Sequence, residues 1–188
     1  MGLIDWLKGR SAPLEDSRLR AWRAAWTRAA SNGETAQIAQ LAAELDGFGL
    51  PEDDVEIERE MLEALRDLET LSAAVRAAGL PLVETGHRVV RGEPCHYSAP
   101  ASMPDEPGQP SGRLLLTSSR AIFVGGPGGL TSAWHSISGA THIERDLVLT
   151  KNGRERVYRF RCNAYGDALR AAFIAGELLA RRRPSGGL

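Results

Sequence analysis

Through residue 80 the apolar positions recur every three or four residues; beyond Pro81 they alternate. Leu19, Trp22, Ala25, Trp26 and Ala29 predict a first helix over 14–30, and Asn32-Gly33 supplies its stop. Ile38, Leu41, Ala42 and Leu45 predict a second over 34–46, ended by Gly47 and Gly49. A third is predicted from Pro51 to Ala78, about 42 Å long at 1.5 Å per residue, with Glu52, Asp53 and Asp54 on the first turn and Gly79 and Pro81 beyond its end. Its apolar stripe runs Ile57, Met61, Leu65, Leu68, Leu71 and Val75 and needs a cover, either the first two helices or a second copy of the chain.

After Pro81 the period falls to two and glycine and proline become frequent, which marks a boundary between a helical region, 1–80, and a β domain, 84–183. Residues 87–98 read as one or two short strands around Gly92, and 99–112, with four prolines, as a long exposed loop. Strands follow at 113–117 and 120–124, a glycine-rich turn at 125–129, and a strand or bent pair within 130–144. Residues 146–150 and 155–162 form a hairpin across Asn152-Gly153. On its second arm Tyr158, Phe160 and Cys162 share one face, and Arg159 and Arg161 the other. Tyr165 to Arg183 is a helix turning Leu169, Phe173, Ile174 and Leu178 to the sheet, and 184–188 is a flexible tail. The expected core joins Leu114, Leu116, Phe123, Tyr158, Phe160, Phe173 and Ile174. Antiparallel strands with one terminal helix and none between them exclude a parallel α/β sheet and leave a partly open barrel or bent sandwich. The fold class is α+β.

Gly112-Arg113-Leu114-Leu115-Leu116-Thr117-Ser118-Ser119-Arg120-Ala121-Ile122-Phe123 resembles the Gly-x-Leu-x-Leu-Thr-x-x-Arg-x-x-Phe hairpin of GRAM and bacterial PH-like domains. Trp134-His135-Ser136-Ile137 is similar to their next strand and the Ile after it. The resemblance covers about 100 residues of the 188. It implies a PH/GRAM-like β barrel or sandwich capped by a C-terminal helix, a module that binds lipids, peptides or other domains, and it supplies no catalytic residues. Members that bind phosphoinositides are basic around the loop between the first two strands. The matching loop here, 99–112, has no Lys or Arg and carries Asp105 and Glu106, which disfavours that ligand.

A hydrophobic content of 43% supports a buried core. No apolar run is long enough to span a bilayer and no secretory leader is evident, so a cytoplasmic setting is expected, with Cys95 and Cys162 as free thiols; a bacterial source is what the resemblance implies. The net charge of −1 hides an asymmetry: +3 over 1–30, −9 over 31–80 and +5 over 81–188. No uniformly basic face results, and nucleic acid is not an expected partner.

His87, Cys95 and His96 are the candidates for zinc or a thiol enzyme. Adjacent Cys95 and His96 point to opposite faces of a strand, and the spacing lacks the paired ligands of zinc sites. Pro127 in the glycine run, with no Lys-Ser or Lys-Thr after it, excludes a phosphate cradle. The expectation is a non-enzymatic binding or scaffolding protein with no cofactor and no metal. Its candidate interaction surface is Ile57, Met61, Leu65 and Leu68 with Arg159 and Arg161, and its partner is another protein or a second copy. The alternative to it is weak contact with a membrane surface through Leu3, Ile4, Trp6 and Leu7 beside Lys8 and Arg10.

Overall fold

The computed structural model describes residues 17–32, 35–126, 129–153 and 157–182. The amphipathic segment at Leu3 to Arg10, the tail at 184–188 and the centre of the glycine run lie outside these. The chain divides into two compact units, Met1–Glu58 and Arg59–Leu188. The division falls inside the third helix rather than at the change of period near residue 80.

In the first unit α1 (Ser17–Asn32) and α2 (Ile38–Gly47) follow the predicted spacing. Trp22 and Trp26 are fully buried, and the Trp22 indole Nε1 donates to the Leu41 carbonyl at 2.8 Å, which satisfies its one polar atom. Arg18 stacks over the Phe48 ring, 5.1 Å from its centroid. Arg23 meets the buried carboxylate of Glu58 at 2.5 Å. The helix expected to begin at Pro51 is interrupted: Glu52–Asp54 forms a 3₁₀ turn, Val55 leaves helical geometry at φ −124° with its side chain buried, and α3 runs Glu56–Ala78. Its 23 residues span about 35 Å. Gly79, at φ +88°, ends it by donating its N–H to the Val75 carbonyl at 2.9 Å.

The second unit carries seven antiparallel strands: β1 (Cys95–Ser102), β2 (Ser111–Thr117), β3 (Arg120–Gly125), β4 (Leu130–Ala133), β5 (Ile137–Ile143), β6 (Asp146–Lys151) and β7 (Val157–Cys162). Their order in the sheet is β4-β3-β2-β1-β7-β6-β5, and among the described residues no ladder joins β4 to β5, so the sheet stays open. With α4 (Tyr165–Ala180) closing the chain, this is the α+β layout expected from the sequence. All seven expected core residues gather between sheet and helix; Phe173 is partly buried there, and Phe123 and Phe160 lie with ring centroids 6.0 Å apart.

Three readings of the strands need correction. Residues 88–90 are a 3₁₀ turn, followed by Arg91 at φ 52° and Gly92 at φ 78°, so no strand precedes β1. The loop expected over 99–112 shrinks to 103–110. Ala99 and Ala101 are buried on the inner face, while Pro100 is exposed beside a ladder to β7 that holds only Ala101 and Ser102, where a missing N–H is tolerated. Trp134–Ser136 is a 3₁₀ turn rather than strand; its Trp134 is buried and donates to the Thr117 carbonyl at 2.8 Å. Gly112 and Gly125 pair across β2 and β3, and a Cβ on Gly112 would stand 2.2 Å from the Val124 carbonyl oxygen, so the close approach requires glycine.

Candidate functional site

Each proposed surface residue has a definite place in the fold. On α3, Met61, Leu65 and Leu68 are 3%, 0% and 6% exposed, while Ile57 is 45% exposed. Three of the four positions named for association are therefore already covered in the single chain, and only Ile57 keeps a free apolar surface. Arg159 and Arg161 share the outer face of β7, as the alternation requires. Between them lies Asp146, directly opposite Arg161 in the β6–β7 ladder. Its carboxylate accepts from Arg161 Nε at 2.9 Å and from a second guanidinium nitrogen at 3.2 Å, and it pairs with Arg159 at 2.9 Å. These hydrogen bonds push the Arg161 guanidinium above its ordinary value. Asp105 stands 3.8 Å from Arg159 as a second acid, so the two arginines are paired with two carboxylates and are not a free cationic patch.

His87, Cys95 and His96 are likewise accounted for. A register shift between Cys95 and Tyr97 places a bulge at His96, and all three residues of the Cys95-His96-Tyr97 run are buried. Cys95 sits with Val90, Leu115 and Ile122. Burial pushes its thiol up, against contacts to the Tyr97 and Leu116 backbone that pull it down. His96 Nδ1 faces the Pro81 carbonyl at 2.8 Å and so carries the proton, and Nε2 lies 2.9 Å from the Ser118 hydroxyl. Cys162 is buried, its thiol pushed up to about 12 by burial and the neighbouring Asp167 carboxylate. Such thiols are poor nucleophiles. Among the described residues no group of three or more His, Cys, Asp or Glu side chains is placed to hold a metal ion.

The loop 82–95 is pinned through Glu93, whose carboxylate accepts from the Thr117 hydroxyl at 2.7 Å and from the Ser119 hydroxyl, and pairs with Arg120 at 2.5 Å. Burial pushes that carboxyl up; the two hydroxyls and Arg120 together outweigh it and hold it below its ordinary value. The loop encloses a hollow of about 640 Å³ that His87 and Cys95 line along with its backbone.

The feature with the character of a binding site lies elsewhere in the second unit, where α3, β1 and α4 meet. A groove of about 460 Å³ runs between them. Gly166 of α4 lies beside Ala64 of α3, a Cβ there standing 3.9 Å from it, an ordinary packing distance. Leu71, Ala74, Val83 and Ile174 give it aliphatic walls. The Tyr97 ring joins them, its hydroxyl donating to the Asp167 carbonyl at 3.0 Å and held, chiefly by burial, well above its ordinary pKa. Asp67 and Arg170 form an ion pair from α3 to α4 on the same groove. None of these residues was singled out as a site from the sequence. One signal was present: Ala73 and Ala74 lie off the apolar stripe of α3, a small-residue face that a groove requires.

No family model and no curated protein matches the chain. Among solved structures, it is similar to one of the Vav1 exchange factor concerned with its PH and C1 domains, at 11% identity and TM-score 0.40 over 81% of this chain and 46% of that one. It is also similar to the DH/PH domains of p115-RhoGEF, at 10% identity and TM-score 0.42 over 80% and 56%. The chain thus spans about half the length of the solved chains it matches. At these scores nothing is carried over from them, and the strand order above stands by itself.

Proposed function

We propose that this chain is a non-enzymatic, PH-like binding module that holds a partner protein in the groove between α3, β1 and α4. The observation that carries the reading is the groove itself, about 460 Å³ with an aliphatic floor and a charged rim, in the size range of ligand sites. The open antiparallel sheet closed by a terminal helix and the Gly112 to Phe123 hairpin support the PH-like part of the reading. A cytoplasmic setting belongs with it, supported by two buried cysteines that form no disulfide.

The test is affinity capture by the full chain from the cells that make it, beside Ala74→Trp. Ala74 is exposed on α3 and lines the groove, so tryptophan fills it at little cost to folding. A protein identified with the wild type and lost with Ala74→Trp, at unchanged melting temperature, supports the reading; equal capture by both rejects it.

Contact with an anionic membrane surface is the second reading. Leu82 and Val89, exposed 75% and 43%, lie near Arg88 and Arg91 in the loop 82–95. Sedimentation with vesicles containing phosphatidylserine, reduced by Leu82→Ser, would favour it over the groove.

A further inference from the structure

The charges on the groove walls do not balance. Arg170 is engaged by Asp67. His96 is held at both ring nitrogens, Ser98 Oγ accepts from Arg113 at 3.1 Å, and the Thr70 hydroxyl donates to the Arg66 carbonyl at 3.0 Å. Asp167 differs. Its backbone carbonyl accepts from Tyr97, but among the described residues its carboxylate has no hydrogen-bond or ion-pair partner. With His96 counted neutral, Asp67 and Asp167 against Arg170 leave one excess negative charge on a lining that otherwise mixes aliphatic side chains with uncharged polar ones.

The surroundings of Asp167 agree with that count. Burial pushes its carboxyl above the ordinary value, Arg170 pulls it down, and Glu60 on α3 pushes it up again. Glu60 is itself committed, accepting from Arg145 at 2.6 Å and from the Tyr165 N–H at 2.8 Å. Tyr97 from β1 and Cys162 from β7 face Asp167 as neutral groups. A half-buried carboxylate beside hydrocarbon and without a matching cation is complementary to a ligand that brings both a cation and a hydrocarbon stem.

Resting on the binding-module reading, we propose that the groove takes the end of an aliphatic chain bearing a cation, its stem against Leu71, Ala74, Val83 and Ile174 and its head on the Asp167 carboxylate. The occupant that fits this description is a lysine side chain of a partner protein, and the alkylamines serve as its probes.

Calorimetric titration of the full chain with hexylamine, hexanol and hexanoate tests it, with Nα-acetyl-lysine methylamide and a lysine-bearing peptide as further arms. Hexylamine should bind at least about tenfold tighter than hexanol, and hexanoate more weakly than either. Asp167→Asn should remove that preference and leave hexanol binding unchanged. Asp67→Asn, which frees Arg170 to repel the ligand, should weaken hexylamine in the same sense without touching Asp167. Binding of the lysine-bearing peptide at least as tight as that of hexylamine supports a protein side chain as the occupant; hexylamine binding with none of the lysine-bearing peptide overturns it. Equal binding of hexylamine and hexanol, both abolished by Ala74→Trp, overturns the cation and leaves the groove reading standing. Absence of binding by every probe overturns the proposal as well, while the capture experiment decides the reading by itself.

Discussion

Up to Glu58 the structure is held by contacts short in sequence. The hydrogen bond that fixes α1 to α2, from Trp22 to Leu41, joins residues 19 apart, and two fully buried tryptophans supply the anchors. From Arg59 onward the decisive contacts are remote. Tyr97 reaches Asp167 across 70 positions, Arg170 reaches Asp67 across 103, and β1 pairs with β7 after five other strands. Closing such distances costs more chain entropy, so the sheet unit must recover more by burial before it gains anything. Its aliphatic and aromatic core is correspondingly broad, whereas the helical unit rests on a few large side chains. Local periodicity is enough to build the first region; the second also brings distant side chains together, and there the groove forms.

The substitution expected to do most damage is Leu65→Asp. Leu65 is fully buried, so a carboxylate there meets no water and costs about 5 kcal/mol or more, unfolding the chain instead of dissolving an assembly. A folded, monomeric Leu65→Asp protein in denaturant melts would return α3 to the role of an association surface. Phe160→Ala should follow with about 3 to 5 kcal/mol, since the ring is completely buried against Phe123 in the central core. A loss below about 1 kcal/mol would mean the β7 alternation faces the other way.

In the helical unit Trp22→Phe keeps an aromatic ring in place but removes the donor to Leu41 and the indole's second ring from a fully buried site. The lost hydrogen bond and the vacated volume should together cost about 1 to 3 kcal/mol, read as earlier loss of the helical signal on heating. No loss would show that neither the hydrogen bond nor the full indole holds α1 to α2. The smallest effect is expected from Glu93→Gln. The folded carboxyl titrates below its ordinary value of 4.5, so the unfolded chain takes up the proton first. The stabilisation is complete above that value and is lost as pH falls through the folded value. Melts from pH 6 to pH 3 should flatten in Glu93→Gln; an unchanged slope would remove Glu93 as the clasp of the loop 82–95.

Much of this architecture was legible along the chain, and the exceptions share a cause. The helices α1, α2 and α4, the Asn152-Gly153 hairpin and the facing of Tyr158 and Phe160 all follow from local period and turn chemistry. The break at Val55 did not, because acidic residues at a helix start suit a 3₁₀ turn as well as an α-helical one. Neither did the bulge at His96 nor the strand through Pro100, since both depend on which strand lies alongside. The pairing of Asp146 with Arg159 and Arg161 was within reach, because the hairpin register sets Asp146 opposite Arg161. The groove was not, as its walls come from α3, β1 and α4, and only the tertiary fold assembles them.

The central claim, that partners are held between α3, β1 and α4, is tested most directly by placing a photoactivatable phenylalanine analogue at Ala73, exposed on α3 next to the groove residue Ala74, and, separately, at Ile143, which is 58% exposed on β5. Irradiation in the native cell should give a discrete protein adduct from position 73, lost when Ala74→Trp fills the groove, and none from position 143. Adducts from 143 with none from 73 would contradict the account and move the binding surface to the sheet edge.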